Sequence, residues 1–139
     1  KVITKDGWLR SGDLGVMDGQ DYLVVNGRIK DMIIRGGENI YPREIEDFLL
    51  EMDKISDVQV VGVPSRRYGE DVVAFIIPKA DMTLTPEEVR AYCKGRIARH
   101  KVPRFMAFVD SFPMTGSKKI RKYVLREEAG RLFAEAASR

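Results

Sequence analysis

Two short segments carry the residue types best suited to holding an anion. Residues 117–122 read Ser-Lys-Lys-Ile-Arg-Lys, a basic cluster in a polar stretch that indicates a loop. Gly36 and Gly37 follow a short apolar run, and because glycine has no Cβ its backbone lets a ligand approach closely. A Gly-Gly pair is more often a plain turn, and a basic cluster can equally be a solvated surface. Taken alone, these residues indicate the binding of a phosphate or another anion.

Several other kinds of site are absent from the sequence. It has no Ser/His/Asp spacing, no GxGxxG segment and no Walker loop. One cysteine and one histidine cannot form a disulfide framework or a structural zinc site, so we expect no bound metal and no tightly bound cofactor. Lysine plus arginine exceeds aspartate plus glutamate by only 24 − 21 = 3. Because acids interrupt the positive charge throughout, a nucleic-acid partner is not expected.

Composition also bears on where the protein resides. Apolar residues make up 44% of the chain, which is enough for a hydrophobic core. The longest uninterrupted apolar run, residues 72–77, has six residues, and this is too short for a transmembrane segment. We therefore predict a soluble, cytoplasmic protein.

Hydrophobic periodicity predicts the element order β-β-α-β-β-α-β-loop-α. Two β-prone runs, residues 22–25 and 32–34, flank Asn26-Gly27, a pair typical of a tight hairpin turn. Apolar side chains spaced 3, 4 and 7 apart after Pro42 predict a helix over 42–52. The other predicted elements are strands over 58–63, 71–77 and 105–109, helices over 86–98 and 124–137, and a loop over 35–39. This order is typical of an α+β fold, a small mixed sheet with packed helices, preceded by a short β-hairpin.

Four spaced motifs resemble those of the adenylate-forming superfamily, in the same order along nearly the whole chain. Residues 7–15 (GWLRSGDLG) resemble its G-W-[FLY]-x-[ST]-G-D-[LVI]-G motif, and residues 27–33 (GRIKDMI) resemble its G-R-x-[KD]-D-x-I hinge. Residues 35–46 (RGGENIYPREIE) are similar to the signature of its acyl-CoA synthetases. Residues 113–122 (PMTGSKKIRK) are similar to its terminal P-x-T-x-[ST]-G-K-[IV]-x-[KR] motif.

The resemblance implies an activity and a place for this chain within a larger enzyme. Such enzymes make acyl-AMP and pyrophosphate from a carboxylic acid and ATP with Mg²⁺, then pass the acyl group to coenzyme A. Residues 30–139 resemble their mobile C-terminal domain, and residues 1–29 resemble the tail of the N-terminal adenylation domain and the approach to the hinge. The first residue is Lys1 rather than Met, so we expect a piece of a longer protein. Without its N-terminal domain the piece should be inactive.

The resemblance also implies roles for individual residues. Asp13 would accept hydrogen bonds from both ribose hydroxyls of ATP, and Arg28 would sit against the ribose or a phosphate. Lys30 would be the hinge whose backbone rotation lets the domain swing. Lys119 would be the catalytic lysine, because a compact cation on a long stem can reach both the carboxylate and the α-phosphate. The expected coenzyme A contacts are Gly36, Gly37 and Glu38 along the tunnel for the pantetheine arm, and Arg66, Arg67 and Arg104 at the phosphates.

One position departs from the family pattern. Lys118 stands where a glycine usually precedes the terminal lysine. Counting forward from Thr115 and counting backward from Ile120 both place Lys119 at the position of the catalytic lysine. The replacement would stiffen the loop or leave Lys118 competing for the same phosphate, so it bears on the efficiency of the enzyme.

Two alternative functions stay open at this point. The sequence of residues 35–42 (RGGENIYP), together with that of residues 100–103 (HKVP), favours the medium-chain fatty acyl-CoA synthetases. Within the superfamily, an aryl-acid or carrier-protein adenylating enzyme is the alternative, since Arg-Gly-Gly-Glu also occurs there. From a different class, the chain would be a regulatory or binding module without catalysis.

Overall fold

The computed structural model describes residues 2–139 and contains two sheets and three α-helices. In the first sheet, β1 (Asp13–Met17) pairs antiparallel with β2 (Leu23–Arg28). One turn of 3₁₀ helix, Ile29–Asp31, leads from this hairpin to the rest of the chain. The remaining elements are β3 (Ile33–Arg35), β4 (Glu38–Ile40), α1 (Pro42–Leu50), β5 (Ile55–Ser65), β6 (Gly69–Pro78), α2 (Pro86–Cys93), β7 (Phe105–Phe108) and α3 (Lys122–Ala137).

The second sheet has five strands and is built around β6. Strand β5 pairs antiparallel with β6 along its whole length, from Ile55 opposite Pro78 to Ser65 opposite Gly69. The other edge of β6 is shared, because β3 pairs antiparallel at Gly69 and β7 pairs parallel with residues 73–76. Strand β4 completes the sheet beside β3. The predicted α+β class with a mixed sheet and a preceding hairpin is confirmed.

The core lies on both faces of this sheet. Along β6, Val72, Ala74 and Ile76 face one side, whereas Val73 and Phe75 face the other, as the period of two in a strand requires. Helices α1 and α2 cover the first face and α3 covers the second. Because both faces are covered, the strand reads as a continuous apolar run rather than an alternating one.

The position of the predicted N-terminal hairpin was wrong. Asn26-Gly27 lies inside β2, and the chain reverses instead at residues 18–22. There the Asp18 carboxylate accepts hydrogen bonds from the backbone N–H groups of Gln20 and Tyr22 at 2.8 and 2.9 Å. The unusual backbone of Gly27, with φ +151°, sits opposite Leu14 beside a register shift. A bulge can use the freedom of glycine as well as a turn can.

Several other predicted boundaries were wrong as well. Residues 35–39 form most of a tight hairpin between β3 and β4, and α2 ends at Cys93 rather than residue 98. Strand β5 continues past Pro64, because β5 lies at the edge of the sheet and its outer N–H groups need no partner strand. The predicted N-terminus of α2 is confirmed by a capping box between Thr85 and Glu88. No helix within residues 2–139 is long and apolar enough to cross a membrane.

Candidate functional site

Lys119 lies on a short hairpin that leads into α3. Met114 and Ile120 form an isolated antiparallel bridge, and the Thr115 hydroxyl accepts a hydrogen bond from the Lys119 N–H at 3.1 Å. The Thr115 N–H in turn donates to the Lys119 carbonyl at 2.8 Å. The Lys119 side chain is exposed and has no ion-pair partner within residues 2–139. A fixed backbone thus presents a free ammonium group to solvent.

The backbone of Lys118 shows why the family motif has a glycine at this position. Its φ is +59°, in the left-handed region that glycine adopts without the steric cost of a Cβ. A glycine is therefore the residue best suited to this turn. This observation agrees with placing Lys119 in the catalytic slot, and the catalytic role itself stays a prediction.

The structure divides the basic cluster of residues 117–122 into exposed and structural members. The Nζ of Lys122 lies 2.6 Å from Oε1 of Glu46 and 3.4 Å from the carbonyl oxygen of Val60. The same Glu46 oxygen accepts the Val60 N–H at 2.9 Å. Because the side chains of Lys122 and Glu46 are only 21% and 13% exposed, this pair ties α3 to α1 and β5.

Gly36 and Gly37 form the two-residue turn between β3 and β4. Both have positive φ, +59° and +86°, which is the backbone that the tightest hairpins require. The Gly36 N–H donates to the Tyr68 carbonyl at 2.8 Å. A Cβ added to Gly37 would meet no atom within 4 Å. The geometry of a tight turn is therefore enough to account for both glycines. The space beside Gly37 is also open, as a ligand tunnel would require.

A wide cleft of about 1300 Å³ lies beside this turn. Among the predicted coenzyme A contacts, Gly36, Glu38, Arg67 and Arg104 line it. The guanidinium of Arg67 packs over the Tyr68 ring, 5.1 Å from its centroid. The cleft also has cationic residues that the sequence analysis did not single out: Arg35, Arg90, Lys94, Arg99. Cations outnumber acids along this wall, so the cleft favours an anionic ligand.

Arg66 lies outside the cleft lining. Its side chain is exposed, and its backbone N–H donates to the Ala137 carbonyl at the end of α3, at 3.3 Å.

The Cys93 thiol borders the cleft, but burial raises its pKa to about 11. At neutral pH Cys93 is therefore a protonated core side chain.

Behind the cleft wall lies a buried acid that the sequence analysis missed. Asp71 is fully buried, with Oδ1 2.8 Å from Nε of Arg35 and Oδ2 2.6 Å from a guanidinium nitrogen of Arg104. The only sequence signal is an acid at the start of an otherwise apolar strand. That signal does not identify its partners, because Arg35 and Arg104 lie on other elements.

Asp13 and Arg28 come together at the open end of the first hairpin. They are directly opposite in the ladder, and the Nε of Arg28 lies 3.4 Å from Oδ1 of Asp13. Both side chains are exposed, 60% for Arg28 and 38% for Asp13. The predicted ATP contacts are therefore adjacent and accessible, as a shared nucleotide site would require.

The predicted hinge, Lys30, lies in the 3₁₀ turn between the two sheets. Its side chain is exposed, and its carbonyl accepts a hydrogen bond from Arg126 of α3 at 3.5 Å. The neighbouring Asp31 forms an ion pair with the same Arg126. The start of the second sheet is thus tied to α3, whereas residues 2–29 form no hydrogen bond or ion pair with α3.

Lys119 and the Gly36-Gly37 turn lie at opposite ends of α3. Lys119 precedes the first residue of this helix by three positions, whereas the Ala137 carbonyl at its other end contacts the segment that carries Tyr68, the partner of Gly36. A helix of 16 residues is about 24 Å long. The two candidate sites therefore cannot act on one small reacting group in a single pose of the domain.

Comparison with known proteins decides the family. The AMP-binding enzyme C-terminal domain family matches residues 44–119. The chain belongs to this family. The predicted relationship to adenylate-forming acyl-CoA synthetases is confirmed.

Individual relatives are similar to this AMP-binding C-terminal domain both in sequence and in structure. The chain is 54% identical to YngI of Bacillus subtilis over 138 residues, 99% of this chain and 25% of YngI. It is 54% identical to the mitochondrial medium-chain acyl-CoA ligase ACSF2 of Danio rerio over 127 residues, 91% of this chain and 21% of that protein. ATP-bound MatB from Rhodopseudomonas palustris superposes with a TM-score of 0.89 at 34% identity, covering 95% of this chain and 26% of MatB.

The chain spans about a quarter or less of the length of these relatives. The activities and ligands in the names of these relatives belong to the whole proteins. What this AMP-binding C-terminal domain contributes must therefore be argued from its own residues.

Proposed function

We propose that residues 30–139 are the mobile C-terminal domain of an AMP-forming acyl-CoA synthetase, and that residues 1–29 belong with its N-terminal adenylation domain. The whole enzyme would convert a fatty acid, ATP and coenzyme A into acyl-CoA, AMP and pyrophosphate. The medium-chain acyl-CoA ligase among its relatives supports a fatty acid as the substrate. The cytoplasmic location stays a prediction.

The observation that carries this proposal is the placement of two exposed candidate sites at opposite ends of α3. Lys119 presents a free ammonium group at one end, and the glycine turn with its basic cleft lies at the other. A two-step reaction can use both if the domain rotates between the steps. Lys30, at the start of the domain and outside its core, is the proposed pivot.

In the first step a carboxylate oxygen attacks the α-phosphorus of ATP, and the bond to the departing pyrophosphate breaks. Both reactants are anionic, so they repel each other and negative charge accumulates on the leaving group. A single ammonium placed between them lowers this repulsion and aligns the attack. Lys119 is proposed for this role because its side chain is free and its backbone is fixed.

In the second step the thiol of coenzyme A loses its proton and attacks the acyl carbon, and the bond from that carbon to AMP breaks. The pantetheine arm would pass the open space beside Gly37. Cations of the cleft, Arg67 and Arg104 among them, would hold the phosphates at its far end. Arg66 is the weaker candidate, since it lies outside the lining.

Mg²⁺ would enter with ATP. Residues 2–139 contain no group of three or more His, Cys, Asp or Glu side chains able to hold a metal ion. We propose that the ion arrives bound to the phosphates of ATP.

The distribution of exposed apolar side chains supports the proposed domain boundary. Residues 2–29 carry most of the large exposed apolar residues, including Trp8, which is 73% exposed, and Tyr22, which is 68% exposed. Exposed apolar surface on this scale is typical of an interaction face. The proposed N-terminal domain would cover this face, whereas residues 30–139 have their own core.

Pyrophosphate exchange by the full-length enzyme tests the proposal. With octanoate, the label of pyrophosphate should appear in ATP, and added coenzyme A should yield octanoyl-CoA. Exchange with benzoate and not with octanoate would favour the aryl-acid alternative. Exchange with neither acid would favour a binding module without catalysis.

A further inference from the structure

Asp71 connects three elements at the wall of the basic cleft. It lies on β6, it contacts Arg35 at the end of β3, and it contacts Arg104 just before β7. The Arg35 guanidinium also donates to the carbonyls of His100 and Val102, at 2.9 and 3.4 Å. The carboxylate therefore sits at the centre of the framework that shapes the cleft.

We propose that Asp71 is a positioning residue for coenzyme A, acting through the two arginines that it holds against the cleft. This inference rests on the proposed function. The residue itself is fully buried and does not line the cleft. Its effect on a ligand must therefore pass through Arg35 and Arg104.

Arg35 and Arg104 are both partly buried. Arg35 is 15% exposed and Arg104 is 32% exposed, and two guanidinium groups so close together repel each other when water is largely excluded. A buried carboxylate between them removes that repulsion, and it is itself tolerated only because it is paired. One negative charge against two positive charges leaves a net charge of +1, held in a fixed place.

The two arginines are held in different ways. Arg104 donates to Oδ2 of Asp71 at 2.6 Å and to the Ala136 carbonyl at 3.3 Å, so two aligned bonds fix its guanidinium. The Nε of Arg35 is 2.8 Å from Oδ1 of Asp71, yet that oxygen receives no aligned hydrogen bond within residues 2–139. Arg35 is therefore held by the charge of Asp71, by the two backbone carbonyls and by the Tyr68 ring, whose centroid lies 5.2 Å from its guanidinium carbon.

The ligand chemistry follows from what these groups recognise. A guanidinium fixed at a cleft wall matches the oxygens of a phosphate better than a mobile one, because its orientation is set before binding. Coenzyme A carries its phosphates at the end distant from the thiol. Loss of the Asp71 charge would raise the local charge from +1 to +2 but would leave both guanidinium groups free to move. We expect the lost orientation to outweigh the added attraction, so that phosphate binding weakens while the chemistry at the thiol is spared.

The test replaces Asp71 with asparagine in the full-length enzyme and compares two thiol substrates. Coenzyme A carries the phosphates, and pantetheine has the same thiol arm without them. We expect Asp71→Asn to lower kcat/KM for coenzyme A about tenfold, chiefly through KM. The value for pantetheine and the rate of pyrophosphate exchange should stay within about twofold of wild type.

Glu70→Gln is the matched control. Glu70 precedes Asp71 on the same strand and accepts the Ile34 N–H at 2.7 Å, but it forms no ion pair within the described residues. Glutamine keeps an acceptor there, so both thiol substrates should react as in wild type.

Equal losses for coenzyme A and pantetheine in Asp71→Asn would overturn the inference, because they would show a general structural role. If Asp71→Asn does not fold, Arg104→Gln replaces it, since the Arg104 side chain is more exposed than that of Asp71. An unchanged preference for coenzyme A over pantetheine in Arg104→Gln would likewise overturn the inference. Failure of the proposed function gives a different result, namely no acyl-CoA formation by the wild-type enzyme.

Discussion

Replacing Lys119 with alanine in the full-length enzyme should separate the two half-reactions. The Lys119 side chain is exposed and has no ion-pair partner within residues 2–139. The bond that fixes this position uses its backbone N–H, donated to Thr115, and alanine retains it. We therefore expect the free energy of unfolding to change by less than about 0.5 kcal/mol, as for other surface substitutions.

The effect on adenylation should be much larger. Loss of one electrostatic stabiliser of a transition state costs about 10²–10³ in rate, or about 2.7–4 kcal/mol. Lys119→Ala should lower acyl-AMP formation by at least this amount. Thioester formation from supplied acyl-AMP and coenzyme A should stay within about tenfold of wild type, a change under about 1.4 kcal/mol, because the proposed lysine bridge serves only the first step.

Pyrophosphate exchange measures the first half-reaction, and acyl-CoA formation from synthetic acyl-AMP measures the second. Lys118→Ala is the neighbouring control and should be mild in both assays. Lys118→Gly should also keep both activities and raise the melting temperature, because relief of the left-handed backbone, about 1–2 kcal/mol, exceeds the entropic cost of glycine, about 0.5–1 kcal/mol. The catalytic assignment is wrong by one residue if Lys118→Ala abolishes adenylation while Lys119→Ala spares it.

Three other substitutions or treatments test separate parts of the structure. Lys30→Pro would fix φ near −65° and trap one pose of the domain, so adenylation should survive better than thioester formation; equal loss of both would argue against Lys30 as the pivot. Gly37→Leu should make acyl-AMP accumulate in the presence of coenzyme A. Gly37→Asn controls for backbone strain, because asparagine tolerates the left-handed backbone at φ +86° better than leucine does. Normal turnover of the leucine variant would refute the tunnel. Burial raises the pKa of Cys93 from 9.0 to about 11, so as the pH rises the thiol ionises in the unfolded chain before it ionises in the folded protein. The free energy of unfolding should therefore fall between pH 9 and 11. Cys93→Ser should flatten this pH dependence of stability, and an unchanged slope would contradict a buried, protonated thiol.

The local features of the candidate sites could be predicted from the sequence. Gly36-Gly37 forms a tight turn because both positions need positive φ, a property of the residues themselves. The N-terminus of α2, predicted at residue 86, is confirmed for a similar reason, since Thr85 and Glu88 satisfy each other's hydrogen-bonding groups within one turn of helix. The N-terminal hairpin was placed wrongly because Asn26-Gly27 suits a bulge as well as a turn, and only pairing with β1 selects between them.

By itself, the sequence determined the family, the fold class and the order of the candidate motifs, because each depends on residue types within a few positions of one another. The tertiary structure decided which members of those motifs are free to act. Lys122 and Glu46 are 76 positions apart, and Arg104 and Asp71 are 33 apart, so no local pattern reveals that these charges are paired. Burial and charge pairing depend on contacts between distant segments, and these contacts leave Lys119 exposed while they hold Arg104 at the cleft.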